Sequence, residues 1–337
     1  MLVFSCDRFQ LPLPADHRFP MAKYPRLRSA LQADLPAEWF AEPPAVTDAQ
    51  VRLAHDADYV ERVVTGQLTP REVRRIGFPW SEQMVARERR SVGGTLAAAR
   101  AALRFGRGVN LAGGTHHAHA AQGGGYCIFN DAAVALRVLQ QAGRIREALV
   151  VDCDVHQGDG TATIFADDPS VFTLSLHGGD NYPFRKPASD LDVPLPTGTG
   201  DAAYLQALED ALDFCFRQIV PDIVVFQSGV DPWEGDRLGT LSLTRAGMGA
   251  RDRVVFDRCA ARGIPVAVSM GGGYAPAVDD IVSLHRQTVL EALRGLDSTL
   301  LREAGGVERA VSRPAASLSS GEDRAAHGAR PGRRADP

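Results

Sequence analysis

Several things are scarce or missing in this chain of 337 residues, and each absence closes a class of function. The five cysteines, Cys6, Cys127, Cys153, Cys215 and Cys259, are odd in number, and no two stand as Cys-x-x-Cys. A disulfide framework and a cysteine zinc site are set aside, and the thiols read as small buried apolar groups. No apolar run is long enough to cross a bilayer. The opening MLVFSCDRFQLPLP has no basic segment leading into an apolar one, so no export signal is read and a cytoplasmic location is expected. Basic residues (37) do not outnumber acidic ones (41), and a net charge of −4 provides no footprint for nucleic acid. Gly-x-Ser-x-Gly and the P-loop spacing are missing, and no cysteine has an evident catalytic partner. The common covalent nucleophiles and phosphate cradles therefore have little support.

What is present is an ordinary globular mix, 45% apolar and 23% charged, on a chain long enough for one large α/β domain. Short apolar runs predict strands at 2–5, 109–111, 148–155, 171–176, 223–226 and 266–269. Helical periodicity predicts helices at 21–31, 47–64, 82–104, 131–141, 161–166, 204–219, 244–262 and 277–293, the third capped by Ser81. Between 74 and 81 the pattern breaks into a loop. Strands separated by helices imply a parallel sheet covered on both faces. From about Gly305 the chain turns to Gly, Pro, Ser and Ala with no aromatic residue, and 305–337 reads as a disordered tail after a folded body at 1–304.

The chemistry gathers where ligands sit in such sheets, beyond the carboxyl ends of the strands. The stretch Val150-Val151-Asp152-Cys153-Asp154-Val155-His156 alternates, so Asp152, Asp154 and His156 share one side. Buried carboxylates and an imidazole need a partner, and a divalent metal suits them. Asp154 and His156 are candidate ligands. Asp231, just past an apolar strand, is a candidate third, although an isolated Asp there also suits a turn or a helix cap. Three such ligands leave a position open for water. His116 and His117 lie in a glycine-rich loop, where neighbouring side chains can each find a carboxylate while facing one cavity, one acting as base and the other carrying charge or a proton. His119 is expected to face out. Gly271-Gly272-Gly273-Tyr274 lets the backbone approach a substrate and places a hydroxyl that can stabilise an oxyanion. Gly123-Gly124-Gly125-Tyr126 reads as a flexible loop or the wall of a narrow channel.

These segments, with Gly235-Asp236-Arg237-Leu238-Gly239 and Asp152 to Gly160, resemble the zinc-dependent histone deacetylase family in order and spacing, from about residue 2 to 295. Arg18 to Tyr24 and Arg75 to Trp80 are most similar to its class IV branch and bacterial relatives. The resemblance implies a single-domain arginase–deacetylase fold, an eight-stranded parallel sheet with helices on both faces. It implies Asp154, His156 and Asp231 as ligands of Zn2+, with Fe2+ also acceptable to them. His116 and His117 become the acid/base pair, backed by Asp152 and Asp159, and Tyr274 the group that polarises the amide. Gly125, Tyr126, Tyr182, Leu238 and Gly272 would line the acyl-lysine channel, the family more often carrying phenylalanine at the place of Tyr126. Asp152, Asp154, His156, Ser175 and Leu176 resemble a structural K+ site. The implied reaction is removal of an acetyl or longer acyl group from a lysine side chain in a protein or peptide.

Alternatives differ at single residues. An acetylpolyamine amidohydrolase, acting on a small acylated amine, carries an acidic gatekeeper where this chain has Leu238. A binuclear arginase-like enzyme needs Asp-x-His-x-Asp, and here Gly158 stands two residues after His156. A catalytically dead metal-binding protein would lack a ligand, a histidine or the tyrosine, and all are present. The class IV resemblance also admits removal of long fatty acyl groups.

Overall fold

The computed structural model describes residues 2–14 and 17–296. Contacts gather Met1–Leu296 into one compact unit. The proposed tail, 305–337, lies outside the described residues.

Eight strands form one sheet: β1 (Val3–Phe4), β2 (Phe40–Ala41), β3 (Arg107–Asn110), β4 (Ala148–Asp152), β5 (Val171–Gly178), β6 (Leu191–Leu195), β7 (Ile223–Gln227) and β8 (Val266–Ser269). Their order is β2-β1-β3-β8-β7-β4-β5-β6, and every neighbouring pair is parallel. The central strands are continuous apolar runs, such as Ala148-Leu149-Val150-Val151 and Ile223-Val224-Val225-Phe226, buried along their whole length. That composition suits strands covered on both faces, where no residue needs to be polar for solvent.

The helices are α1 (Lys23–Gln32), α2 (Asp48–Val51), α3 (Ala57–Thr65), α4 (Pro70–Ile76), α5 (Glu82–Phe105), α6 (Asp131–Gln141), α7 (Asp159–Phe165), α8 (Asp201–Gln218), α9 (Arg245–Ala260) and α10 (Val278–Ala292). They pack in two groups: α5 with α3 and α6, and α6 with α7; then α8 with α9, α9 with α10, and α10 with α1. The long α5 starts where the Ser81 side chain accepts from the Met84 N–H and ends at Gly106, which takes the left-handed conformation (φ 84°).

Several boundaries differ from the sequence expectation. The helix expected over 47–64 is two, because His55 turns into the core: its Nδ1 lies 3.0 Å from the His119 carbonyl, and its Nε2 accepts from the Asn130 N–H at 2.8 Å. The first three residues of the loop expected at 74–81 are helical, and 77–81 form the loop. The Thr69/Glu72 capping box with Pro70 at the first position starts α4, and Gly77 at φ 89° stops it. The strand expected to reach Val155 ends at Asp152, after which the chain leaves the ladder. The strands β2 and β6 were not among the expected ones. The first has only two residues, and the second carries Pro194 on the outer edge, where a missing N–H is tolerated. Among the described residues no helix is long and apolar enough to cross a membrane.

Candidate active site

The sheet order places the carboxyl ends of β3, β8, β7 and β4 side by side, and each runs straight into a polar loop. The loops are held by buried side chains. Asp131, in the first turn of α6, accepts from the N–H groups of Gly114 (3.1 Å) and Thr115 (2.8 Å), fixing the segment that carries His116 and His117. Arg251 of α9 is fully buried, pairs with Asp252 at 2.7 Å, and donates to the carbonyls of Cys153 and Gly229. It thereby ties the end of β4 to the end of β7, just before Asp154 and Asp231.

Asp154, His156 and Asp231 come together, each offering a ligand atom, with all such atoms within 4.8 Å of one another. His156 Nδ1 lies 3.0 Å from Asp154 Oδ1 and 3.2 Å from Asp231 Oδ2. The outer oxygens are occupied by backbone: Asp154 Oδ2 accepts from the Gly272 N–H at 2.7 Å, and Asp231 Oδ1 from the Val155 N–H at 2.9 Å. Asp231 Oδ2 is buried and has no hydrogen-bond partner. Burial, followed by the neighbouring charge of Asp154, pushes the Asp231 carboxyl up to about 7. Burial alone would lower His156, but the two carboxylates beside it outweigh that and push it up to about 10. A buried carboxylate oxygen without a donor, aimed at an imidazole nitrogen and a second carboxylate, fits a divalent cation. A Cβ at Gly272 would stand 1.9 Å from Asp231 Oδ2, so glycine is required for the loop to close over the trio.

Two dyads flank this centre. His116 Nδ1 is 2.6 Å from Asp152 Oδ2, and His117 Nδ1 is 2.6 Å from Asp159 Oδ1. With Nδ1–H directed to a carboxylate, each Nε2 is left for the cavity. Burial opposes the charge on His116, yet Asp152 and then Asp154 prevail and push it up to about 9. Burial and then the adjacent His116 push His117 down to about 4. His119, expected to face out, is half-buried, its Nε2 3.2 Å from the other oxygen of Asp159 and its Nδ1 2.7 Å from the Thr163 hydroxyl.

Tyr274 is buried, with its ring 6.4 Å from that of His156. Burial and the fields of Asp231 and Asp154 hold its hydroxyl well above the ordinary range, so it stays protonated and able to donate. Its backbone is clamped: its N–H donates to Asp236 Oδ2 at 2.6 Å, and its carbonyl accepts from Arg237 Nε at 2.9 Å. Lys23 lies beneath, buried, donating to the Gly271 carbonyl at 3.2 Å, and desolvation pushes it down to about 8. Sequence reasoning did not give Asp236, Arg251 or Lys23 a role, since no local pattern marks a lone polar residue as buried.

A cavity of about 670 Å³ opens outward from His117, His156 and Tyr274, with Gly125, Tyr126, Tyr182 and Leu238 among its walls. Gly125 (φ 53°) lies so close that a Cβ would stand 2.7 Å from His117 Cδ2. Tyr126 also has a positive φ, 66°, secured by its N–H donating to the Ile76 carbonyl at 2.7 Å. Tyr182 meets His117 edge-on, ring centroids 4.9 Å apart. An inner cavity of about 40 Å³ continues past the trio among Lys23, Arg87, Glu88 and Tyr274.

The family model described as the histone deacetylase domain matches residues 17–289. The chain belongs to the histone deacetylase family. It is 47% identical over 276 residues to an uncharacterised protein of Picosynechococcus sp., covering 81% of this chain and 92% of that protein. It is 30% identical over 291 residues to histone deacetylase 2 of Arabidopsis thaliana, covering 82% and 75%. Among solved structures it is similar to a histone deacetylase homologue from Aquifex aeolicus (TM-score 0.75, 22% identity, covering 89% of this chain and 88% of that one). It is likewise similar to an acetylpolyamine aminohydrolase from Burkholderia pseudomallei (TM-score 0.71, 23% identity, covering 87% and 99%). These structures share the arginase–deacetylase fold with the chain. Membership in the histone deacetylase family makes the protein a hydrolase, and the trio at the strand ends is its candidate metal centre.

Proposed function

We propose that the protein is a metal-dependent amidohydrolase that removes a short acyl group from a lysine side chain. One observation carries the reading: the trio of Asp154, His156 and Asp231 stands beside two carboxylate-backed histidines, one pushed toward the cation and one toward the neutral form, and a buried, protonated tyrosine. The chemistry supplied at the trio when zinc, or iron(II), is bound is polarisation of the acyl carbonyl and acidification of a water. The chain's own groups do the rest. His117, held neutral with Nδ1–H on Asp159, accepts at Nε2 the proton of the attacking water. His116, cationic through Asp152, and the Tyr274 hydroxyl stabilise the negative charge that develops on the acyl oxygen. When the carbon–nitrogen bond breaks, the proton held by the histidines passes to the departing lysine amine.

The size of the inner cavity favours acetyl over a fatty chain. About 40 Å³, lined by Lys23, Arg87 and Glu88, holds a small group or a few waters but not a long apolar tail. Gly158 supports a single catalytic metal. A Cβ there would stand 2.4 Å from Asp152 Oδ2, so no side chain fits at that place to bridge a second ion. A structural K+ near Asp152, Asp154, His156, Ser175 and Leu176 belongs to the same reading, and is supported by the direct pairing of Asp152 with Ser175 across β4 and β5. The test is turnover by protein of defined metal content on lysine peptides bearing acyl groups of increasing length, with acetylspermidine alongside. Acetyl-lysine peptides are expected to react fastest. Preference for acetylspermidine or for a fatty acyl group would overturn the corresponding part of the reading.

A further inference from the structure

The mouth of the outer cavity carries two features that the chemistry at its floor does not use. Phe184 is 89% exposed and makes no ring contact among the described residues. It is not on a loose end. Asn181, buried beside it, donates to the Leu238 carbonyl at 2.7 Å and accepts from the Thr240 hydroxyl at 2.6 Å. Lys186 donates to the carbonyls of Asn181 (2.7 Å) and Pro183 (2.8 Å), closing the loop from its other side. A large apolar ring held in water on a braced loop gains free energy only when something covers it. Across the mouth, Arg74 at the end of α4 is exposed and makes no hydrogen bond or ion pair among the described residues. Its neighbour Arg75, also on the cavity wall, donates to the Gly123 carbonyl at 2.9 Å. Among the described residues Asp180 is the only carboxylate lining the mouth, and it already accepts from the Thr197 hydroxyl at 2.8 Å.

Building on the hydrolase reading above, we propose that this mouth selects an acyl-lysine within a polypeptide segment that offers an apolar side chain to Phe184 and a carboxylate to Arg74. A small polycationic amine meets the wrong sign of charge here. Its ammonium groups would face two guanidinium groups and a single, engaged carboxylate, and nothing in it would cover the phenylalanine. An acidic, apolar-flanked segment is complementary on both counts.

The test compares kcat/KM on three acetyl-lysine peptides with one flank varied, Leu-Glu, Leu-Lys and Ser-Ser, together with acetylspermidine, using the metal-loaded full chain. The Leu-Glu peptide is expected to exceed the Leu-Lys peptide by roughly fivefold at low salt, and the ratio to shrink as salt rises. Arg74→Glu is expected to invert that ratio. Phe184→Ser is expected to remove the advantage of Leu over Ser while leaving the charge preference in place. Equal turnover of all three peptides, or an unchanged ratio in Arg74→Glu, overturns the inference and leaves the hydrolase reading intact. Absence of turnover on every acetyl-lysine peptide while acetylspermidine reacts overturns both.

Discussion

His116 and His117 are adjacent in the chain, equally buried at 6% exposure, and each 2.6 Å through Nδ1 from an aspartate, yet their protonation is pushed in opposite directions. The hydrogen-bonded partner alone does not set the charge of a buried histidine. His116 Nε2 also lies 4.0 Å from Asp154, so two carboxylates act on it against the cost of burial. His117 faces the cationic His116 and the ring of His156, 5.9 Å away, and its aspartate is shared with His119. Two identical residues are thus pushed toward different protonation states, because the end of β4 lies behind one and the first turn of α7 behind the other.

The comparison can be broken first at its foundation. Asp231→Ala should remove the metal centre, reducing both metal stoichiometry by elemental analysis and turnover, the latter by roughly four orders of magnitude or more. Tyr274→Phe should keep the metal while kcat falls about 10²- to 10³-fold; retained turnover would remove the oxyanion role. His117→Ala should cost about 10²- to 10⁴-fold in kcat with binding of a substrate analogue preserved, and His116→Ala should cost less, because charge is easier to replace than a positioned base. A finer cut is Asp159→Asn against Asp152→Asn. Each should cost roughly 10- to 100-fold in kcat, read by steady-state kinetics with metal content unchanged.

The smallest effect comes from a histidine outside the site. Burial pushes His55 down to about 4, and its Nε2 must stay unprotonated to accept from the Asn130 N–H. The unfolded chain takes up that proton near the ordinary histidine value of 6.5. Between 6.5 and 4 the unfolded state therefore binds more protons, and stability falls as pH falls through this window. Urea unfolding should show a loss of a few kcal/mol across it. His55→Gln should be less stable at neutral pH but should lose less on acidification.

Long, strongly periodic elements were legible in the chain because burial on one stripe or along a whole run writes itself into residue type. The helix opened by Ser81 and the Val-rich strands β4 and β7 are of this kind. The break at His55 was not legible, since it depends on carbonyls at positions 119 and 120, far along the chain. The contact of His119 with Asp159 was not legible for the same reason: its carboxylate partner is 40 residues away. The helix α4 was hidden by its brevity, although Thr69-Pro70 with Glu72 was a usable start signal.

By itself the sequence marked the candidate site residues and that they stand at the ends of parallel strands, because strand, turn and ligand types follow one another locally. Only the tertiary structure decided how they meet. The sheet order brings β4 beside β7, so Asp231 reaches His156, and Arg251 locks the two strand ends together. The opposite shifts of His116 and His117 arise from fields of groups distant in the chain, acting where water is excluded and Coulomb interactions are strong.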